Sequence, residues 1–557
     1  MHSSLLFIAL AAAVGLPASA LAGAPATKAE ITRYADAMLA ANYREDAPGA
    51  AVLIARGDEV LFRSARGLAD VRSGAALTAD SVFRIGSVSK QFAAAGLLTL
   101  VEAGKVSLAD PLSKYVPDFP NGAHITVIEL LNHTSGVKSY TAMPSFLGGP
   151  VDKDLSTGQL IAIFRDAKSD FTPGESWAYN NSGYVLVGAV IEAASGQPWH
   201  EYLRTALFEP LDLTHTFYGA DPKARAKQVA GYSLKNDKVV PAKAISMTIP
   251  HAAGALLSNV DDLMKWNRAL HEGRVLKNET YTKMITPVGK AVDGKYGLGI
   301  SQSTVLGQPM LEHGGSIFGF ESMLDYVQGP DISVVVLQNS DRSNGHDDPE
   351  TIARKLTAAA LGEPYPEATA IPIDTAALKQ FEGVYRIDAE SARVLRVVDG
   401  KLTAQRTGGE RSDLTPIAPD EFLYADGLNR FTAQRNAAGA VTGMRFFSMG
   451  EPPGTVVART TELLPQARQA VALRPQQLDR VTGTYAATGM NFKVFMDGKQ
   501  LKAQMGEQPA FEMFAESADL FFLTVVDVTL AFTPGEGKAT AVTLKQGGQI
   551  IELKRTL

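Results

Sequence analysis

Arg84-Ile85-Gly86-Ser87-Val88-Ser89-Lys90-Gln91-Phe92 sets a hydroxyl and an amine three residues apart, just ahead of Ala93-Ala94-Ala95-Gly96-Leu97-Leu98-Thr99-Leu100-Val101. The second run is apolar nearly all round, the pattern of a buried helix. It stops at Gly104, a residue suited to the left-handed position after a helix. Ser87 is therefore expected at the helix start, with Lys90 on the same face one turn on. A serine hydroxyl attacks poorly until a base takes its proton. A lysine is such a base when burial depresses its pKa and leaves it neutral. The helix N-terminus also favours negative charge developing beside Ser87. Ser-x-x-Lys alone is short and recurs by chance in long chains; two segments downstream give it weight.

The first is Phe171-Thr172-Pro173-Gly174-Glu175-Ser176-Trp177-Ala178-Tyr179-Asn180-Asn181, with a Tyr-x-Asn pair at Tyr179 and Asn181. A tyrosine oxygen near a neutral lysine can relay a proton to a leaving group. An asparagine amide offers a donor and an acceptor, one for Lys90 and one for a substrate carbonyl. The plainer reading is a polar turn before a helix. The second segment is Leu311-Glu312-His313-Gly314-Gly315-Ser316-Ile317-Phe318-Gly319-Phe320. Glycines such as Gly315 let backbone approach a ligand closely. The N–H of Ser316, with that of Ser87, would make an oxyanion hole, and His313 would lie over the same site. A lone histidine is ordinarily a satisfied core side chain; the Gly-Gly that follows favours the functional reading.

The 557 residues exceed one core and suit three or four domains. With 45% hydrophobic and 20% charged residues the chain is globular. Its net charge of −6 and lack of a basic run argue against nucleic acid or anionic membrane as partners. The absence of cysteine excludes disulfides, thiol catalysis, a lipidated cysteine and a thiolate zinc site. No Gly-x-Ser-x-Gly, His-Glu-x-x-His or phosphate-cradling glycine loop occurs. Residues 1–22, with an apolar block from Leu5 to Val14 and Ala20-Leu21-Ala22, read as a secretory signal, although no Lys or Arg precedes the block. A simple anchor is the alternative, but the block is short for a membrane span. A periplasmic or secreted protein is expected, with no membrane span once the signal is cleaved.

Ala50–Arg56 and Glu59–Arg63 around Gly57-Asp58 read as a hairpin. Helices are expected from Ile31, Ile125, Tyr184, Asp261 and Ile352, and a late strand over Ile332–Leu337. Strands at both ends with helices between indicate an α+β domain whose sheet is completed by distant segments. Gly362-Glu363-Pro364-Tyr365-Pro366 and Pro372 mark a linker. Beyond it the pattern turns all-β and repeats: Phe381-Glu382-Gly383-Val384-Tyr385 is echoed by Val481-Thr482-Gly483-Thr484-Tyr485, Asp399-Gly400-Lys401 by Asp497-Gly498-Lys499, and Phe422-Leu423 by Phe521-Phe522. The expected division is residues 23–362, 376–462 and 473–557.

Residues 30 to 360, through Ser87–Lys90, Tyr179–Asn181 and His313–Gly315, resemble the serine β-lactamase and penicillin-binding superfamily, in its class C β-lactamase-like branch. Ile125–Gly136, which includes His133-Thr134-Ser135-Gly136, and Ala253-Gly254-Ala255-Leu256-Leu257-Ser258 are also typical of it. The resemblance implies a helical domain beside an antiparallel sheet of the five-strand type, with the site between them. It implies Ser87 as acylated nucleophile, Lys90 as base, Tyr179 as proton shuttle, and Asn181 and His313 framing the substrate. Lys-Thr-Gly, usual as the third element, is absent; His313-Gly314-Gly315 stands there. A histidine is mostly neutral at pH 7, so recognition of a substrate carboxylate is not expected. Two tail barrels of lipocalin type resemble the three-domain architecture of D-aminopeptidases. The reading is an exported serine hydrolase, needing no cofactor, that acts on D-amino-acid-containing peptides or amides. The alternatives are a carboxylesterase on small acyl esters, a β-lactamase or D-Ala-D-Ala carboxypeptidase, and a penicillin-binding sensor that does not turn over. The partner is a small peptide, amide or ester, and the sequence leaves a homodimer open.

Overall fold

The computed structural model describes residues 26–143, 146, 151–235, 238–341, 347–365, 369–425, 427–466, 468–487, 490–506, 510–546 and 549–556. The expected signal at 1–22, and part of the linker at 366–368, lie outside the described residues.

Helix α1 (Lys28–Asn42) opens on a capping box between Thr27 and Glu30 and buries Ile31, Ala35 and Leu39, one per turn. It leads to the hairpin of β1 (Ala50–Arg56) and β2 (Glu59–Arg66). A turn at Gly86–Val88 runs into α2 (Ser89–Glu102). Helices α3 (Val127–Leu131), α4 (Asn181–Ser195) and α5 (Val260–His271) follow. The chain then returns to the sheet with β3 (Ser301–Val305), β4 (Gln308–Ile317), β5 (Phe320–Val327) and β6 (Ile332–Gln338), and covers it with α6 (Pro349–Ala360).

The sheet order is β3-β4-β5-β6-β1-β2, antiparallel throughout. The register Ala50↔Gln338 to Arg56↔Ile332 joins the two ends of the domain. The sheet has six strands, one more than the five-strand type the resemblance implies. The edge strand β3 is short and pairs with β4 only as far as Ser301↔Glu312. From His313 to Ile317, β4 therefore carries no β3 partner on its outer edge.

β1 and β6 are apolar along their length because both faces are covered. Ala51, Leu53, Val335 and Leu337 face the helical cluster around α2, α4 and α5. Val52, Ile54, Val334 and Val336 alternate to the other face, under α1 and α6. Burying each of the larger side chains stabilises the fold by about 1.5–3 kcal/mol. Phe92 of α2 stacks on Trp266 of α5 at 4.0 Å, so the helix behind Ser87 is locked in a packed core.

Past the linker come two eight-stranded units, Gly383–Ala458 and Gly483–Arg555. The second is a closed barrel; in the first, an isolated bridge Tyr385↔Arg459 brings the ends together. The repeat is visible in detail. Tyr385 Oη donates to Phe381 O at 2.7 Å and Tyr485 Oη to Val481 O at 2.8 Å. Gly400 and Gly498 take positive φ in equivalent hairpin turns, and Phe422 and Phe521 are fully buried. The first unit docks on the α+β domain through Glu451, which accepts from the Leu306 and Gly307 amides and pairs with Arg354 of α6. The second is fastened to the first, with Arg411 N donating to Val525 O and Asp527 N to Gly409 O. Among the described residues no helix is long and apolar enough to cross a membrane.

Candidate active site

The turn Gly86–Val88 presents Ser87 half-buried, and the first residues of α2 carry Lys90 inward, with no exposed surface. Lys90 Nζ lies 2.9 Å from Ser87 Oγ, 2.9 Å from Asn181 Oδ1 and 2.8 Å from Ala253 O. No carboxylate is among these partners, and burial pushes the lysine well below its usual pKa. A neutral amine has two N–H donors and one lone pair. Ala253 O and Asn181 Oδ1 accept the two N–H groups. The lone pair is then left for the Ser87 hydroxyl to donate into, the geometry of a base already in contact with its proton.

Asn181 is the first residue of α4, and its Nδ2 donates to Thr141 Oγ1 at 3.0 Å. The helix is held there by its N-cap: Asn180 Oδ1 accepts from the Gly183 amide, and Asn180 Nδ2 donates to Val137 O. Tyr179 precedes the cap. Its ring centre is 4.7 Å from Lys90 Nζ and its hydroxyl end lies beside Ser87. Burial of that end pushes its pKa up, so it is a phenol rather than a phenolate, although the residue as a whole keeps 39% of its surface open to the cleft.

The unpaired half of β4 closes the site. At Gly86 (φ +48) a Cβ would sit 2.9 Å from the Ser316 amide nitrogen, and at Gly315 one would sit 2.1 Å from Ile85 O. Both positions need glycine for the Ser87 turn and β4 to touch. Ser322 Oγ donates to Ile85 O at 2.9 Å and pins the same contact from β5. The contact brings the Ser316 amide beside the Ser87 turn. His313 is buried; its Nδ1 donates to Gly314 O at 2.6 Å, so Nε2 accepts from Tyr296 Oη at 2.8 Å. Burial, and Lys90 nearby, push its pKa down to about 3. It carries no positive charge at neutral pH.

Ser87, Tyr179, His313, Gly315 and Ser316 thus line one cleft of about 430 Å³, with Lys90 and Asn181 directly behind Ser87. Sequence reasoning did not find Tyr296, which sits on a short connection ahead of β3 and bears no motif. It also missed the carboxylates Glu312, Glu321, Asp348 and Glu350, which meet the cleft round the open edge of β4 but lie with Met310 and Met323 on the α6 face of the sheet, opposite His313; no lysine or arginine lines the cleft among the described residues. Burial, with Asp348 and Asp341 nearby, raises Glu321 to about 7. The larger cavity, about 880 Å³ between α1, α6 and the first barrel, does not include Ser87.

The family model described as "Beta-lactamase" matches residues 31–359. The chain is similar to penicillin-binding protein 4* of Bacillus subtilis strain 168, 26% identical over 397 residues, covering 67% of this chain and 87% of that protein. It is similar to D-aminopeptidase of Brucella melitensis biotype 1, 24% identical over 514 residues, covering 89% of this chain and 91% of the relative. Among solved structures it is similar to a D-stereospecific amidohydrolase from Streptomyces sp., 29% identical with a TM-score of 0.51, over 60% of this chain and 98% of that one.

Proposed function

This chain belongs to the β-lactamase family and is a serine hydrolase acting on amide bonds, and we propose that its substrates are amides or short peptides of D-amino acids with a free amine. The carrying observation is the Lys90 amine, whose two acceptors leave its lone pair facing Ser87. Ser87 Oγ attacks the carbonyl carbon as its proton passes to Lys90. The Ser87 and Ser316 amides stabilise the oxyanion. On collapse the C–N bond breaks, the leaving amine takes a proton through Tyr179, and Ser87 is left acylated. Water, losing its proton back to the same groups, hydrolyses the ester. Asn181 and His313 frame the substrate.

The substrate class rests on two supports. The cleft offers neutral His313, and no lysine or arginine among its described lining residues, where a substrate carboxylate would need a cation. The names of the Brucella and Streptomyces relatives point to D-amino-acid amides. Export, read from residues 1–22, would place the enzyme among cell-wall peptides rich in D-alanine. The test is a panel of D-alanine p-nitroanilide, its L counterpart, p-nitrophenyl butyrate and a chromogenic cephalosporin. The D-anilide is expected to have the highest kcat/KM. Preference for the L-anilide, the butyrate or the cephalosporin would overturn the substrate class.

A further inference from the structure

The motif His133-Thr134-Ser135-Gly136 has no part in the chemistry above, yet it runs along the segment that carries Tyr179. The Asp170 amide donates to Gly136 O at 2.9 Å and the Gly174 amide to Thr134 O at 2.9 Å. At the end of this seam His133 grips both neighbours of Tyr179. Its carbonyl accepts from the Ala178 amide at 3.2 Å, and its Nδ1 accepts from the Asn180 amide at 3.2 Å. The imidazole packs 4.4 Å from the Tyr179 ring, 4.5 Å from Tyr296 and 5.3 Å from Tyr184.

Two features make this arrangement costly. His133 has φ +67, a left-handed backbone that side chains other than glycine seldom adopt. With Nδ1 accepting, the proton is on Nε2, which is buried without a hydrogen-bond partner among the described residues. Strained backbone and an unsatisfied buried donor persist where the surroundings hold them in place, and such positions cluster at functional sites. The left-handed turn is what aims the carbonyl and the imidazole nitrogen of one residue at the two peptide groups flanking Tyr179. A helical or extended backbone would not direct both acceptors to the same strand of chain.

We propose that His133 is a positioning residue for Tyr179, holding the phenol at Ser87 and Lys90 by clamping residues 178 and 180. This rests on the reading of Tyr179 as proton shuttle. His133 touches no reacting atom and acts as a neutral acceptor.

The test uses the full chain and three variants, read by kcat and KM on the best substrate of the panel. His133→Gly keeps the left-handed turn and the carbonyl but deletes the imidazole acceptor. His133→Asn restores an acceptor at nearly the same place on a side chain that tolerates this backbone. His133→Gly is expected to lower kcat about 100-fold with KM changed less than about threefold, since a small misplacement of a reacting group costs on that scale. His133→Asn should recover most of the loss. In a Tyr179→Phe background His133→Gly should cost less than about twofold, because both changes remove the same contribution. An unchanged kcat in His133→Gly, or an equal further loss in Tyr179→Phe, would overturn the proposal. Should His133→Gly not fold, His133→Asn and His133→Leu carry the same comparison, an equal kcat in the two overturning it. If Tyr179→Phe alone is fully active, the shuttle reading falls and the positioning role with it; if only the His133 variants are active, the positioning role falls alone.

Discussion

Gly86 and Ser316 meet so closely that a methyl group on Gly86 would lie 2.9 Å from the Ser316 amide nitrogen. The approach sets that amide beside the Ser87 turn. Gly86→Ala, strained as well by φ +48, is expected to push β4 away from the turn. Losing one oxyanion donor in this way should lower kcat about 100- to 1000-fold, with a small effect on KM. Steady-state kinetics check this, with circular dichroism to show that the fold is kept. Wild-type kcat in Gly86→Ala would separate Ser316 from catalysis.

Lys90 should leave a signature in stability as well as in rate. Its usual pKa is 10.5 and burial depresses it in the folded state. Between the two values the unfolded chain binds a proton that the folded chain does not, so stability from this group rises with pH, by about 1.4 kcal/mol per unit at most. Lys90→Met lacks the term. The urea stability of the catalytic domain, wild type minus Lys90→Met, is expected to grow by about 1–3 kcal/mol between about pH 7.5 and 9.5. A difference independent of pH would mean that Lys90 is charged in the native protein.

Glu451 reaches from the first barrel to Arg354 of α6, whose side chain is 7% exposed. Removing the carboxylate leaves that guanidinium buried without its main counter-charge. Glu451→Ala is expected to cost about 3 kcal/mol and to loosen the barrel, seen as faster proteolysis of the linker after Gly362. Unchanged proteolysis would show that the barrel is held by other contacts.

The pairing of Ser87 with Lys90 is legible in the sequence because it depends only on helix spacing. The burial that neutralises Lys90 is half legible, since the apolar run Ala93–Val101 shows a buried helix but not the Ala253 carbonyl that shares the amine. The tail duplication is legible through paired turns and aromatic anchors, which are local. What escapes a linear reading arrives by tertiary packing. Tyr296 meets His313 from a motif-free turn, and Glu312 and Glu321 gather with Asp348 and Glu350 on the α6 face of the sheet only through the register of β4 with β5. The sixth strand escapes for a similar reason: Ser301–Val305 is short, and only its register with β4 shows that it stops at Glu312 and leaves the edge at His313 open.

The most direct measurement is the rate and place of covalent labelling. Wild-type protein and Lys90→Met are mixed with a fluorophosphonate, followed by intact-mass spectrometry and peptide mapping. The expected result is one adduct per chain, on Ser87, formed at least about 1000-fold more slowly in Lys90→Met, the upper range for a positioned general base. An adduct on another residue, or equal labelling rates in the two proteins, would contradict a neutral lysine activating Ser87.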